Sequence, residues 1–71
     1  MAQQSPSTPI IIRRRVVEAR TGLSRSTIYL RISEGKFPKP ISLGTRAVGW
    51  IEAEISEWLT SRIEISRQGA K

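Results

Sequence analysis

Arginine, lysine and hydroxyl side chains are concentrated in the first two thirds of this chain, and these are the groups with which proteins bind phosphates and base edges. Residues 1–50 contain nine Lys and Arg against two Glu, whereas residues 51–71 contain three against four. The formal net charge is +6 and the pI is about 11.2. Scattered surface charges usually serve solubility, but this asymmetry favours a polyanionic partner and a binding surface N-terminal to Trp50.

The sequence lacks the residue types that most often serve nucleophilic catalysis and zinc binding. The chain has no Cys and no His, which removes thiol nucleophiles, the commonest general base and the usual zinc ligands. A core built from 71 residues would also be weakened by a cofactor cavity. We therefore expect no enzyme activity, no metal, no cofactor and no small-molecule substrate. No apolar run is long enough to span a membrane, so we expect a cytoplasmic, nucleoid-associated protein.

Two consecutive helices with a tight turn are the clearest structural signal. The first is predicted from about Arg14 to Thr21, where Gly22 ends it. The second is predicted from Arg25 to about Glu34, because Ser24 is a good N-cap and Gly35 ends the helix. The connection through residues 21–24 has the length and the glycine of a helix-turn-helix, in which the second helix enters the DNA major groove.

A hairpin and a third helix are predicted after these two. Alternating apolar residues on both sides of the turn 44–47 indicate two short strands. Ile51, Ile55, Leu59 and Ile63 recur at helical spacing, so a closing helix is predicted to end near Ile63 or Ile65. The order predicts a mainly α fold with a small β-hairpin (α+β), a winged helix-turn-helix.

The domain is expected to span residues 10–65. Residues 1–9 are polar, contain two prolines and are predicted to form a flexible arm. Residues 10–12 are predicted to be an extended lead-in to the core. Residues 66–71 have no period and are predicted to fray.

The second predicted helix carries the candidate base-reading residues. If Ile28 and Ile32 face the core, Leu30 is exposed and suits a thymine methyl. Arg25 has the geometry to bind guanine O6 and N7, and the hydroxyl groups of Ser26, Thr27 and Tyr29 have phosphates or bases within reach. Arg31 is expected to meet the backbone. Two alternatives remain: Ser26 and Thr27 serve the first turn of the helix, and Tyr29 is a half-buried core aromatic.

The remaining candidate residues are basic and are expected to contact the DNA backbone or the minor groove. Lys36 and Lys39 would form a phosphate-facing ridge, and Arg46 at the hairpin tip would act as a wing in the minor groove, unless it is merely solvated. Arg14 and Arg15, with Arg13, would contact phosphates at the helix start or enter the minor groove. Phe37, Trp50 and Trp58 are predicted to lie in the core.

The chain closely resembles the AlpA family of phage and prophage regulators over about residues 12–59. The segments that carry the resemblance are TGLSRSTIY (21–29), EGKFPKPI (34–41), LG (43–44), RAVGW (46–50) and ISEWL (55–59). It implies a winged helix-turn-helix related to MerR-type and excisionase domains. It also implies a recognition helix over residues 25–31 and a wing over residues 44–48.

Sequence-specific binding of double-stranded DNA by a transcription regulator of phage or prophage origin is therefore the leading hypothesis. We expect tandem or inverted sites, with contacts between neighbouring copies. One alternative is an excisionase-type factor that bends DNA and contacts an integrase; another is a protein-interaction module that inhibits a regulator. RNA binding needs exposed stacking aromatics, which the predicted core position of both Trp residues removes. Membrane-surface binding needs a basic amphipathic helix, whereas the closing helix here is acidic.

Overall fold

The computed structural model describes residues 8–69, and these form three helices and a small antiparallel sheet. The elements in chain order are β1 (Ile11–Ile12), α1 (Arg14–Thr21), α2 (Arg25–Ser33), β2 (Ile41–Gly44), β3 (Ala47–Ile51) and α3 (Glu52–Gly69). The predicted α+β class is confirmed, and the order is that of a winged helix-turn-helix. Residues 1–7 of the predicted arm and residues 70–71 of the predicted tail lie outside the described residues.

The turn between α1 and α2 is built by local hydrogen bonds. Gly22 has a φ of 75°, and its N–H donates to the Glu18 carbonyl at 2.8 Å. This left-handed ending suits glycine because a Cβ would be strained there. The Thr21 hydroxyl donates to the Val17 carbonyl at 2.8 Å and accepts the Leu23 N–H at 3.2 Å. The predicted bounds of α1 and its glycine stop are confirmed.

Helix α2 begins and ends on the predicted signals. The Ser24 hydroxyl accepts the Thr27 N–H at 3.2 Å, which is an N-cap bond. At the other end Gly35, with a φ of 74°, donates to the Ile32 carbonyl, and the Lys36 N–H donates to the Arg31 carbonyl. These two bonds form a Schellman motif. The last helical residue is Ser33, one earlier than predicted.

Strand β3 lies in the centre of the sheet, in the order β1-β3-β2. The hairpin of β2 and β3 is confirmed, with a register irregularity between Ser42 and Gly44. The pairing of β1 with β3 was not predicted: Ile11 lies opposite Ile51. A Cβ on Gly49 would lie 2.6 Å from Ile11 Cγ2 and 3.2 Å from the Ile12 carbonyl. This position therefore admits only glycine without displacement of β1.

Five apolar side chains from all parts of the fold form the core. They are Val17, Ile28, Phe37, Trp50 and Ile55. Leu23, Ile32, Trp58 and Leu59 are partly buried and pack against this cluster. The core positions of Ile28, Phe37 and Trp50 are confirmed, whereas Trp58 lies at the edge of the core.

The segment between α2 and β2 is held by the two indole groups. Trp50 Nε1 donates to the Pro38 carbonyl at 2.9 Å, and Trp58 Nε1 donates to the Lys36 carbonyl at 2.9 Å. The Trp58 ring also meets Phe37 edge-to-face at a centroid distance of 4.7 Å. The hairpin is thereby fixed relative to α2, although this segment has no regular secondary structure.

Helix α3 is longer than expected. Its predicted end near Ile63 or Ile65 is wrong, because the helix continues to Gly69. Residues 64–68 contain no glycine or proline, so the backbone continues after the apolar period has ended. All residues from 60 to 69 are exposed, so this part of α3 stands away from the body. Across residues 8–69 no helix combines the length and hydropathy that crossing a membrane requires.

Candidate nucleic-acid interface

The start of α1, one side of α2 and the hairpin turn meet around a cleft of about 440 Å³. We call it the basic cleft. Five of the seven side chains that line it are arginines; the lining residues are Arg13, Arg14, Arg15, Arg25, Tyr29, Arg46 and Val48. The cleft thus brings together five predicted site residues from three separate parts of the sequence, and Arg13 and Val48 join them. Arg13 was indicated by the run of three arginines, and Val48 belongs to the wing over residues 44–48 that the family resemblance implies.

The positive end of α1 contributes three consecutive arginines to the basic cleft. Arg13 occupies the N-cap position, and among the described residues its side chain makes no capping hydrogen bond. The first turn of the helix contains no acidic residue. Cations at a helix N-terminus oppose the helix dipole, and the first N–H groups have no intrahelical acceptor. This helix start is therefore suited to an external anion such as phosphate.

Tyr29 lies between the core and the basic cleft. Its ring meets Trp50 edge-to-face at a centroid distance of 6.3 Å, and the residue is 37% exposed. The Arg25 guanidinium lies 5.9 Å from the centre of the Tyr29 ring, within cation–π range. Both positions considered for Tyr29 from the sequence therefore apply: the ring packs against Trp50 in the core, and the residue also lines the basic cleft.

The outward side of α2 presents a mixed polar and apolar surface. Leu30 is 56% exposed, as predicted, while Ile28 opposite to it is fully buried. Ser26 is exposed and lines a second small pocket with Arg25 and Tyr29. Thr27 is half-buried, and its N–H and hydroxyl are both hydrogen-bonded to the Ser24 hydroxyl. Thr27 thus takes part in the hydrogen bonding of the first turn, while Ser26 is exposed.

The hairpin turn holds Arg46 in an unusual backbone conformation. Arg46 is the only non-glycine residue with a positive φ in residues 8–69, at 60°. This left-handed conformation costs an L-residue roughly 1–2 kcal/mol compared with glycine. The exposed side chain extends the row of guanidinium groups from α1 and α2 to the hairpin.

Three of the predicted site residues lie away from the basic cleft. Lys36 is exposed just beyond the end of α2. Lys39 lines a different groove, between residues 38–41 and α3, together with Glu54 and Glu57. Arg31 is half-buried, and its Nε is buried without a hydrogen-bond partner among the residues that the structure describes.

Metal coordination has no residues to support it in the described part of the chain. No group of three or more His, Cys, Asp or Glu side chains in residues 8–69 is placed to hold an ion. The chemistry available at the cleft is therefore that of guanidinium groups, hydroxyl groups and one aromatic ring. These groups bind phosphates and base edges.

Comparison with known proteins places this architecture in a family. The family model described as prophage CP4-57 regulatory protein (AlpA) matches residues 10–63. The chain is 43% identical over 61 residues to the DNA-binding transcriptional activator AlpA of Escherichia coli (strain K12), with 78% of this chain and 87% of that protein covered.

A phage protein is also similar. The chain is 46% identical over 48 residues to the uncharacterized protein ORF88 of Enterobacteria phage P4. This match covers 68% of the chain and 54% of the phage protein, so the chain matches about half of that protein's length. The family match extends over the whole helix-turn-helix, the hairpin and most of α3, and the chain belongs to the AlpA family of prophage regulatory proteins.

Proposed function

We propose that this chain is a prophage-type transcription regulator that binds double-stranded DNA with α2 in the major groove and residues 44–48 on the adjacent minor groove or backbone. The observation that carries the proposal is the basic cleft, because its five arginines come from the start of α1, from α2 and from the hairpin turn. The name of the E. coli relative, a DNA-binding transcriptional activator, supports the same function.

The position of the cleft fits the shape of a duplex. A sugar-phosphate strand separates the major groove from the minor groove, so a protein with one element in each groove needs a channel for that strand. The basic cleft lies between α2 and the turn that carries Arg46, and the start of α1 closes one side of it. Phosphate contacts of this kind fix the orientation of a protein on DNA but do not read the sequence.

Base reading is assigned to the exposed side of α2. Arg25 lies at the first helical position and is exposed, where it is free to donate two hydrogen bonds to guanine. Ser26 offers a hydroxyl to a neighbouring base, and Leu30 offers an apolar contact to a thymine methyl. Lys36 is assigned to the DNA backbone beyond the end of α2. Arg31 and Lys39, which do not line the basic cleft, are also assigned to contacts with the DNA backbone.

The first test is the salt dependence of DNA binding. If the protein neutralises about five phosphates, log K should fall against log salt with a slope of about −4.5. Affinity for duplex DNA should then fall a few hundredfold between about 50 and 200 mM salt. Fluorescence anisotropy of a labelled duplex measures this slope, and a slope near zero would contradict DNA binding through the basic cleft.

A second candidate function is protein contact through the free part of α3. Ile63 and Ile65 are 50% and 54% exposed on a helix end that stands away from the body. These exposed apolar side chains are available for contact with another protein. The contact would join neighbouring copies on tandem or inverted sites, or would reach an integrase if the protein directs recombination.

Sedimentation on DNA with two adjacent sites separates these possibilities. We expect the wild type to occupy such DNA cooperatively and the double variant Ile63→Ser, Ile65→Ser to bind each site independently, because the serines remove the apolar contact. The affinity of the variant for a single site should be unchanged. Independent binding by the wild type would exclude contact between copies and leave a different protein as the partner of this surface.

A further inference from the structure

One acidic side chain is paired directly with the basic cleft. Glu18 Oε2 lies 2.6 Å from Nη1 of Arg14, one of the five cleft arginines, and both side chains are about one third exposed. Glu18 is also the only acidic residue that lines the shallow depression beside the cleft, among the described residues there. Arg14 is therefore engaged by a carboxylate in the free protein.

Stabilisation of α1 does not account for this ion pair. Arg14 is the first residue of the helix, and Glu18 lies in its last turn. Each charge thus opposes the helix dipole at its own end. Arginine four residues before glutamate is also the less favourable order for such a pair. A pair that is unfavourably placed within its own helix points to a role outside the helix.

We propose that Glu18 is a competing anion that occupies Arg14 until a DNA phosphate displaces it. This inference rests on the proposed function and adds a negative determinant of affinity to it. A phosphate and the Glu18 carboxylate both accept hydrogen bonds from the same guanidinium. DNA binding through Arg14 therefore requires the Arg14–Glu18 pair to open, which lowers the affinity of the wild type and restrains binding to unrelated sequences.

The test is the substitution Glu18→Gln, which keeps the size of the side chain and removes its charge. Binding to a duplex of mixed sequence should become about three- to fivefold tighter at about 100 mM salt, because the variant no longer has to open an exposed ion pair before Arg14 reaches a phosphate. The slope of log K against log salt should stay close to the wild-type slope, because Arg14 contacts a phosphate in both complexes. Circular dichroism of the same sample checks that the helical content is unchanged.

Two further variants decide how the effect arises. Glu64→Gln changes the net charge equally but lies on the exposed end of α3, so its affinity should remain within about twofold of the wild type. In an Arg14→Gln background, Glu18→Gln should have no effect, because the competition acts through Arg14.

Three results would overturn the inference. Equal gains for Glu18→Gln and Glu64→Gln would show a general charge effect. A gain that persists without Arg14 would show that Glu18 acts elsewhere, and weaker binding by Glu18→Gln would show that Glu18 positions Arg14 for DNA. Failure of the wild type to bind duplex DNA at any salt would remove the proposed function itself, which is distinct from the three results above.

Discussion

Replacing Arg25 by alanine and Arg46 by glycine in one variant lowers the affinity for duplex DNA on the order of a hundredfold at about 100 mM salt. Both guanidinium groups line the basic cleft, one from α2 and one from the hairpin turn. Loss of the Arg46 phosphate contact should reduce the steepness of log K against log salt by about 0.9, whereas loss of the Arg25 base contact should lower log K with little change in slope. Fluorescence anisotropy over a salt series measures both quantities.

Glycine is the informative replacement at position 46. Its φ of 60° is available to glycine without strain, so the variant should unfold at the same temperature as the wild type or slightly above it. The matched control is Arg62→Ala with Arg67→Ala, which removes the same charge from the exposed part of α3. If this control loses as much affinity as the cleft variant, the cleft is not the binding surface.

Trp50→Ala should remove a large fraction of the free energy of unfolding. Truncating a fully buried tryptophan costs about 3–5 kcal/mol, and Trp50 is fully buried in the core. Domains of this size are stable by only about 0.05–0.15 kcal/mol per residue, or roughly 4–11 kcal/mol in total. Urea unfolding followed by circular dichroism gives the free energy of unfolding of both proteins.

Two comparisons separate the packing of Trp50 from its hydrogen bond. Trp50→Phe keeps an aromatic ring but leaves the Pro38 carbonyl without the indole donor, so its loss should be smaller, about 1–3 kcal/mol. Ile65→Ala truncates a residue that is 54% exposed and should change stability by less than about 0.5 kcal/mol. A Trp50→Ala protein as stable as Ile65→Ala would mean that the core is not centred on this indole.

The helix-turn-helix was predictable because its signals are local. Ser24 caps α2 through a bond to a residue three positions away, and Gly22 and Gly35 end their helices with bonds to carbonyls three or four residues earlier. Such signals can be recognised in any short window of sequence. The bounds of α1 and α2 were therefore predicted to within one residue.

The pairing of β1 and the assembly of the basic cleft both require contacts between parts of the chain that are distant in sequence. Ile11 pairs with Ile51, and two residues do not indicate a strand without knowledge of their partner. Arg46 lies near the arginines of α1 only because β3 pairs with β1 and packs against α1. Most of the cleft residues were predicted from their residue types. That they lie together, and that Lys39 lies in a different groove, depends on tertiary packing. The end of α3 was misplaced because apolar spacing reports where a helix is packed, not where it stops.

The connection between α2 and β2 fixes a length as well as a position. Its carbonyls at Lys36 and Pro38 each accept an indole N–H, one from α3 and one from β3. With one residue added or deleted in this stretch, only one of the two indole N–H groups would keep its carbonyl acceptor. The hairpin would then shift relative to α2. The length of this connection is therefore more constrained than its side chains. Relatives that keep both tryptophans should tolerate substitutions there far more readily than insertions or deletions.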